Sequence, residues 1–318
     1  MGCWSFDASV MASVHRAAAG TSCRLTAATR LASAAGTKSS AVRPASDADY
    51  ADAVPTRIPA LRRVPSAGSP REWTIDGLRF RSWSSVARPD APTYVFIHGV
   101  GMSHRSYLHL HGGLARTATV HSLDLPGFAG LPVPRDDVTV TRMGTAIAEL
   151  IGELSSSPVI LGGHSMGAQW VVAAALRRPA SVRAVVLMGP VTDDRHRTLS
   201  AQARALALDG LLEPPRVNAV VLGDYLRSGL RWFFAQVRHM VAYPIEQRVE
   251  ELSVPVLVVR GSRDPIAGDD WVHRLAGHAA AGEVLVIPGS AHHVERTDAR
   301  AVASGITAFL AQRSVRPA

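Results

Sequence analysis

The pattern of apolar and polar positions changes character at Trp73. From there to residue 84 the run WTIDGLRFRSWS alternates on either side of Asp76-Gly77, which predicts two strands joined by a tight hairpin. Short apolar runs without alternation follow at 93–97, 119–123, 158–161, 182–188, 254–259 and 283–287. Runs of that kind fit strands buried on both faces. Helical spacing is expected over 138–154, 166–176, 269–280 and 298–311. Strands alternating with helices predict an α/β protein with a mostly parallel sheet. Residues 190–250 break the rhythm. Leu211, Leu212, Tyr225, Leu230, Trp232, Phe233 and Met240 recur there at largely helical spacing, without a convincing strand. A helical insertion between two strands is expected.

Composition adds boundaries. The chain has 318 residues, 47% hydrophobic and 19% charged, enough to bury a core. Residues 1–64 differ from the rest: Ala, Ser, Thr and Arg dominate, and Leu25 and Leu31 are too sparse to form a helix face. This segment reads as a disordered or targeting tail, with Met11 as an alternative start, and it has no clean apolar core of a secretory signal. The folded domain is expected over 65–318. No apolar run is long enough to span a membrane, so no integral membrane segment is expected. Cytoplasmic placement is expected, with the N-terminal leader possibility left open. Cys3 and Cys23 both lie in the tail, which excludes a disulfide framework, a cysteine nucleophile and a cysteine metal site in the body.

The formal net charge is +8, but the tail already holds eight Lys or Arg against four Asp or Glu. The body is only mildly basic and shows no basic stripe interleaved with aromatics, so a nucleic-acid partner is not expected. A small-molecule substrate is the expected partner, and nothing in the pattern fixes an oligomeric state.

The sharpest chemical signal is Gly163-His164-Ser165-Met166-Gly167. It reads G-x-S-x-G, it follows an apolar run, and it precedes a helical one. A turn from strand to helix in so few residues lifts Ser165 above the sheet, and Gly163 and Gly167 leave room for it. The opening of the helix aims backbone N–H groups at developing negative charge. A serine nucleophile needs a base and an orienting carboxylate. Asp264, in the GSRDP run beyond a strand, fits the acid; Asp269 and Asp270 are its rivals, but they sit where a helix begins. The base is His292 or His293, in the loop after the last strand, and spacing alone does not separate them. A second oxyanion donor is expected from the loop at Phe96-Ile97-His98-Gly99-Val100. The donors would be the N–H groups of Val100 and Met166, with His98 ordering the loop.

Together, HGVG at 98–101, DLPGFAG at 124–130, GHSMG at 163–167, GSRDP at 261–265 and PGSAHH at 288–293 make the chain resemble the α/β-hydrolase superfamily over roughly 73–311. The resemblance implies an eight-stranded, mostly parallel sheet flanked by helices, with a helical cap after the sixth strand, where 190–250 falls. It also implies Ser165 as nucleophile, Asp264 as acid and His292 as base. One departure is Ala291, where relatives commonly carry Gly. Serine at the turn excludes the dehalogenase and epoxide-hydrolase pattern, which has Asp there.

The expected activity is hydrolysis of a small to medium, partly apolar carboxylic ester through an acyl-enzyme. The alternatives are a carbon–carbon hydrolase of a diketone-type substrate, a cofactor-independent perhydrolase, and a ligand-binding protein on the same fold. Trp232, Phe233, Phe234 and His293 are candidate pocket residues. Arg195, Arg197 and Arg231 are candidates for anion recognition, though solvated roles explain them. No cofactor and no metal are expected: His104, His109 and His111 read as loop residues without acidic companions.

Overall fold

The computed structural model describes residues 70–314. The tail expected over 1–64 lies outside the described residues. The hairpin forms as the alternation predicts: β1 (Arg71–Ile75) pairs antiparallel with β2 (Leu78–Ser85), and Asp76 and Gly77 both take positive φ, 46° and 71°. That is the geometry a two-residue hairpin requires.

Six further strands follow: β3 (Thr93–Ile97), β4 (Thr119–Asp124), β5 (Val159–His164), β6 (Val182–Met188), β7 (Val256–Gly261) and β8 (Gly282–Ile287). They join the hairpin in one eight-stranded sheet of order β1-β2-β4-β3-β5-β6-β7-β8. From β4 to β8 every pairing is parallel. β5 and β7 are buried at every position, so their apolar runs lack alternation; β8, at the edge, is only half-buried. Each fully buried Val, Ile or Leu contributes about 1.5–3 kcal/mol.

The connecting helices are α1 (Leu108–Leu114), α2 (Val140–Leu154) and α3 (Met166–Arg177). α2 starts behind Thr139, whose side chain accepts from the Arg142 N–H. Between β6 and β7 stand four helices: α4 (Leu199–Leu212), α5 (Pro215–Ser228), α6 (Leu230–Ala242) and α7 (Ile245–Glu250). These form the cap, inserted after the sixth strand. The chain ends with α8 (Asp269–His278), the single turn α9 (Val294–Thr297) and α10 (Ala299–Ser314). No helix among the described residues is long and apolar enough to cross a membrane.

One expectation fails here. His104, His109 and His111 are not on a loop: His104 lies in a 3-10 turn (His104–Tyr107), and the other two lie on α1. Nor does His104 lack an acidic companion, because its Nδ1 lies 2.9 Å from the buried Asp124 carboxylate. His111 is buried, with Nδ1 2.9 Å from Ser122 Oγ and Nε2 3.0 Å from Ser85 Oγ. His104 and His111 tie α1 and its approach to the sheet, and His109 is exposed.

Candidate active site

Ser165 sits between β5 and α3 with φ 54° and ψ −123°. A non-glycine residue held there stores roughly 1–3 kcal/mol of strain. Two bonds hold it: the Ser165 N–H donates to Met188 O at 2.9 Å, and the Ala168 N–H donates to Ser165 O at 3.0 Å. The flanking glycines are required by close approach. A Cβ at Gly163 would stand 2.3 Å from Gly167 O, and one at Gly167 would stand 2.4 Å from Ile97 O. Met166 opens α3, so its N–H has no acceptor one turn back.

The loop after β3 runs beside this turn. A Cβ on Gly99 would lie 3.1 Å from Ser165 Cβ, which brings the next residue, Val100, close to the serine. His98 orders the loop. Its Nε2 accepts from the Leu125 N–H at 3.2 Å, so Nδ1 carries the proton and donates to Gly99 O at 2.7 Å.

Asp264 and His292 come from the loops after β7 and β8. His292 Nδ1 donates to Asp264 Oδ2 at 2.9 Å, and both side chains are buried. The other carboxylate oxygen of Asp264 accepts from the N–H groups of Ile266 (2.8 Å) and Ala267 (2.9 Å). Burial opposes the Asp264 charge, but His292 and these N–H donors outweigh it and hold the carboxyl below its ordinary value. For His292, burial opposes the imidazolium, yet Asp264, then Asp209 and Glu295, push it up to about 9. With Nδ1 committed to Asp264, Nε2 is the nitrogen left for proton transfer.

Several members of this site escaped the sequence reading. Gly189, at the end of β6, has φ 53°, and a Cβ there would stand 2.8 Å from His292 Cε1 and Nδ1. His164 Nε2 donates to His292 O at 3.2 Å, and its ring centroid lies 4.6 Å from that of His292. The cap supplies Asp209, which accepts from the His292 N–H at 3.2 Å, and Glu213, which accepts from the His293 N–H at 2.8 Å. Asp209 and Glu213 are spaced four apart, which puts them on one face of α4, but that spacing alone does not distinguish a buried pair of acids from a solvated one. His293 Nδ1 lies 3.4 Å from Glu295 Oε1, and burial drives His293 down to about 3. Two buried sets, Asp209-Glu213-His293 and His164-His293-Glu295, bring donor atoms within 4.8 Å of one another. Part of each set is joined by the hydrogen bonds and close polar contacts just given, and His164 Nε2 lies 3.6 Å from Glu295 Oε2, while His164 Nδ1, Glu213 Oε2 and Glu295 Oε2 are buried without a hydrogen-bond partner.

The candidate pocket aromatics separate. Phe233 and Tyr225 pack over Gly101 in the loop after β3, with their ring centroids 5.0 Å apart. Trp232 is buried against Gly127. Phe234 is 61% exposed. Trp232 and Phe234 line a groove of about 1030 Å³ between 133–137 and 228–238 that includes none of Ser165, Asp264 and His292. Arg195 and Arg231 are exposed, and Arg197 pairs with Glu246. Asp269 pairs with Arg260 at 2.8 Å and Asp270 stands in the first turn of α8, so neither rival acid is part of the His292 pair.

The sequence profile of the Alpha/beta hydrolase family matches residues 94–304. The chain belongs to this family. Family and fold together support a hydrolase activity for this α/β hydrolase. Among curated relatives, the (E)-2-((N-methylformamido)methylene)succinate hydrolase of Acinetobacter baylyi is 25% identical over 234 residues, covering 68% of this chain and 89% of that protein. The 2-(acetamidomethylene)succinate hydrolase of Mesorhizobium japonicum is 25% identical over 244 residues, covering 69% and 88%. Among solved structures, the enol-lactonase of Burkholderia xenovorans superposes with a TM-score of 0.65 at 19% identity, covering 76% of this chain and all of that one. The last likeness is one of fold.

Proposed function

We propose that this α/β hydrolase cleaves an acyl group from a conjugated, enol-like or enamine-like leaving group through a Ser165 acyl-enzyme. The observation that carries the acyl-transfer part is the strained Ser165 turn beside a buried His292–Asp264 pair at 2.9 Å. His292 takes the serine proton as Ser165 Oγ attacks the acyl carbonyl. The N–H groups of Val100 and Met166 receive the oxyanion. The imidazolium, held by Asp264, gives its proton to the departing group. Water, deprotonated by the same histidine, then releases the acid and frees the serine.

The substrate class leans on the relatives. Both curated names describe an acylamino group on a methylene-succinate skeleton, which favours a conjugated leaving group over the small to medium, partly apolar carboxylic ester expected from sequence. This is nearer to the diketone-type alternative, in which the leaving group is also stabilised by conjugation. Hydrolysis of a small, partly apolar ester is the second reading, favoured by Tyr225 and Phe233 over the loop after β3.

The test compares wild type with Ser165→Ala. Fluorophosphonate should label wild type at Ser165 and leave the variant unlabelled. Turnover of enol esters and N-acyl enamines should exceed that of matched saturated esters. Labelling or turnover that survives Ser165→Ala overturns the acyl-enzyme, and a preference for saturated esters overturns the substrate class.

A further inference from the structure

Helix α4 of the cap is inverted. Four of its five leucines, Leu199, Leu206, Leu208 and Leu211, are exposed and Leu212 is half-buried, while its one buried residue is acidic, Asp209 at 2% exposure. Glu213, which ends the helix, is buried as well. Burying a carboxyl group is unfavourable unless it finds donors, so a helix that buries its acids and exposes most of its leucines is held by more than apolar contact. The donors are two successive backbone N–H groups, those of His292 and His293, at 3.2 and 2.8 Å. Residues four apart share a helix face, so the two carboxyls meet adjacent peptide groups without distorting the helix. Hydrogen bonds from N–H to a carboxylate are among the stronger ones a protein makes.

We infer that Asp209 and Glu213 are positioning residues: they seat the cap on the loop carrying His292 and fix its imidazole between Asp264 and Ser165. The inference rests on the proposed role of His292. It makes the competence of the base depend on the presence of the cap. The charged or titratable groups facing His292 are Asp264 from the loop after β7, Asp209 from the cap, Glu295 from α9, and His164 from the end of β5, with His293 beside it in the chain. Asp209 is the one that the cap brings.

The experiment uses the full chain and two double variants. Asp209→Ala with Glu213→Ala removes both acceptors. Asp209→Asn with Glu213→Gln keeps an acceptor oxygen at each position and removes the charge. Two readouts are followed: the rate of fluorophosphonate labelling against pH, and the NMR resonance of the His292 Nδ1 proton, which needs no reactive serine. The alanine pair should lower labelling by about 10- to 100-fold and broaden the ring-proton signal. The amide pair should restore the rate to within about threefold and move the acid limb of the pH profile to lower pH, because a negative charge near the imidazolium is gone. Wild-type rate and an intact ring-proton signal in the alanine pair overturn the inference. If the alanine pair does not fold, an unshifted pH profile and an unmoved His292 titration in the amide pair overturn it. Absence of labelling in wild type overturns the role of Ser165 instead, and the ring-proton resonance still decides the positioning.

Discussion

Replacing Gly189 by Ala tests how tightly the sheet defines the position of His292. The added Cβ would stand 2.8 Å from His292 Cε1 and Nδ1 and 3.4 Å from Asp264 Oδ2. Ordinary contact begins near 3.4 Å, so the imidazole has to withdraw by about 0.6 Å, which displaces the whole ring, Nε2 included. A misplacement of about 1 Å lowers the rate by ~100-fold, so a loss of about 10- to 100-fold is expected, equivalent to ~1.4–2.7 kcal/mol in the barrier. The left-handed backbone at φ 53° adds a separate effect: alanine there costs about 1–2 kcal/mol of stability, or roughly 2–8 °C in Tm for a domain of this size. The assay is the second-order rate of Ser165 labelling beside a thermal melt. Gly77→Ala is the control, because Gly77 has φ 71° and open space where its Cβ would go. It should lose a similar amount of stability and no labelling rate. A Gly189→Ala protein that labels like wild type would refute the reasoning, and so would an equal rate loss in Gly77→Ala.

Labelling of Ser165 should climb with pH and reach half its maximum near pH 9, because His292 is pushed up to about 9 and only its neutral form takes a proton. A profile already flat above pH 7 contradicts this. Asp264→Asn should lower labelling on the order of 10³–10⁴-fold, since an amide can leave Nδ1 unprotonated and turn the ring to the wrong tautomer; loss of less than tenfold argues against the pairing as the working one. Phe233→Ala should reduce kcat/KM by about tenfold, matching ~1.4 kcal/mol of lost apolar contact, while the exposed Phe234→Ala stays within about twofold. Equal effects of the two would place the substrate elsewhere under the cap.

The fold was legible where local pattern and burial agree. Buried strands such as β5 and β7 read directly as unbroken apolar runs, and GHSMG carried its own strand-to-helix context. Helix α1 was not legible. Its sequence, LHLHGGL, holds two glycines and two histidines, poor helix formers, and its placement depends on Ser85 and Ser122 receiving His111 from the sheet. The choice between His292 and His293 was open by spacing, since adjacent residues share one loop. The structure separates them by partner: His292 faces Asp264, and His293 faces Glu295. Asp209 and Glu213 stayed hidden because hydropathy patterns assign carboxyl groups to the surface. Gly189 stayed hidden because Gly-Pro after a strand reads as a chain break, not as space for a ring arriving from residue 292.

The cap enters after β6 and leaves before β7, two strands that lie side by side with Met188 opposite Val259. Because the two strands are parallel, the insertion leaves at the C-terminal end of β6 and α7 (Ile245–Glu250) precedes the return to the N-terminal end of β7, so the cap is carried on an ordinary crossover, and the sheet's own register does not depend on how much chain lies within it. Doubling or halving such a connection changes its closure entropy by only about 0.6 kcal/mol. Topologically the cap is an exchangeable module, and lineages can lengthen, shorten or replace it while the strands below stay as they are. What limits exchange is the underside: any replacement must still cover the loops after β3 and β8 and answer the two peptide N–H groups at 292 and 293.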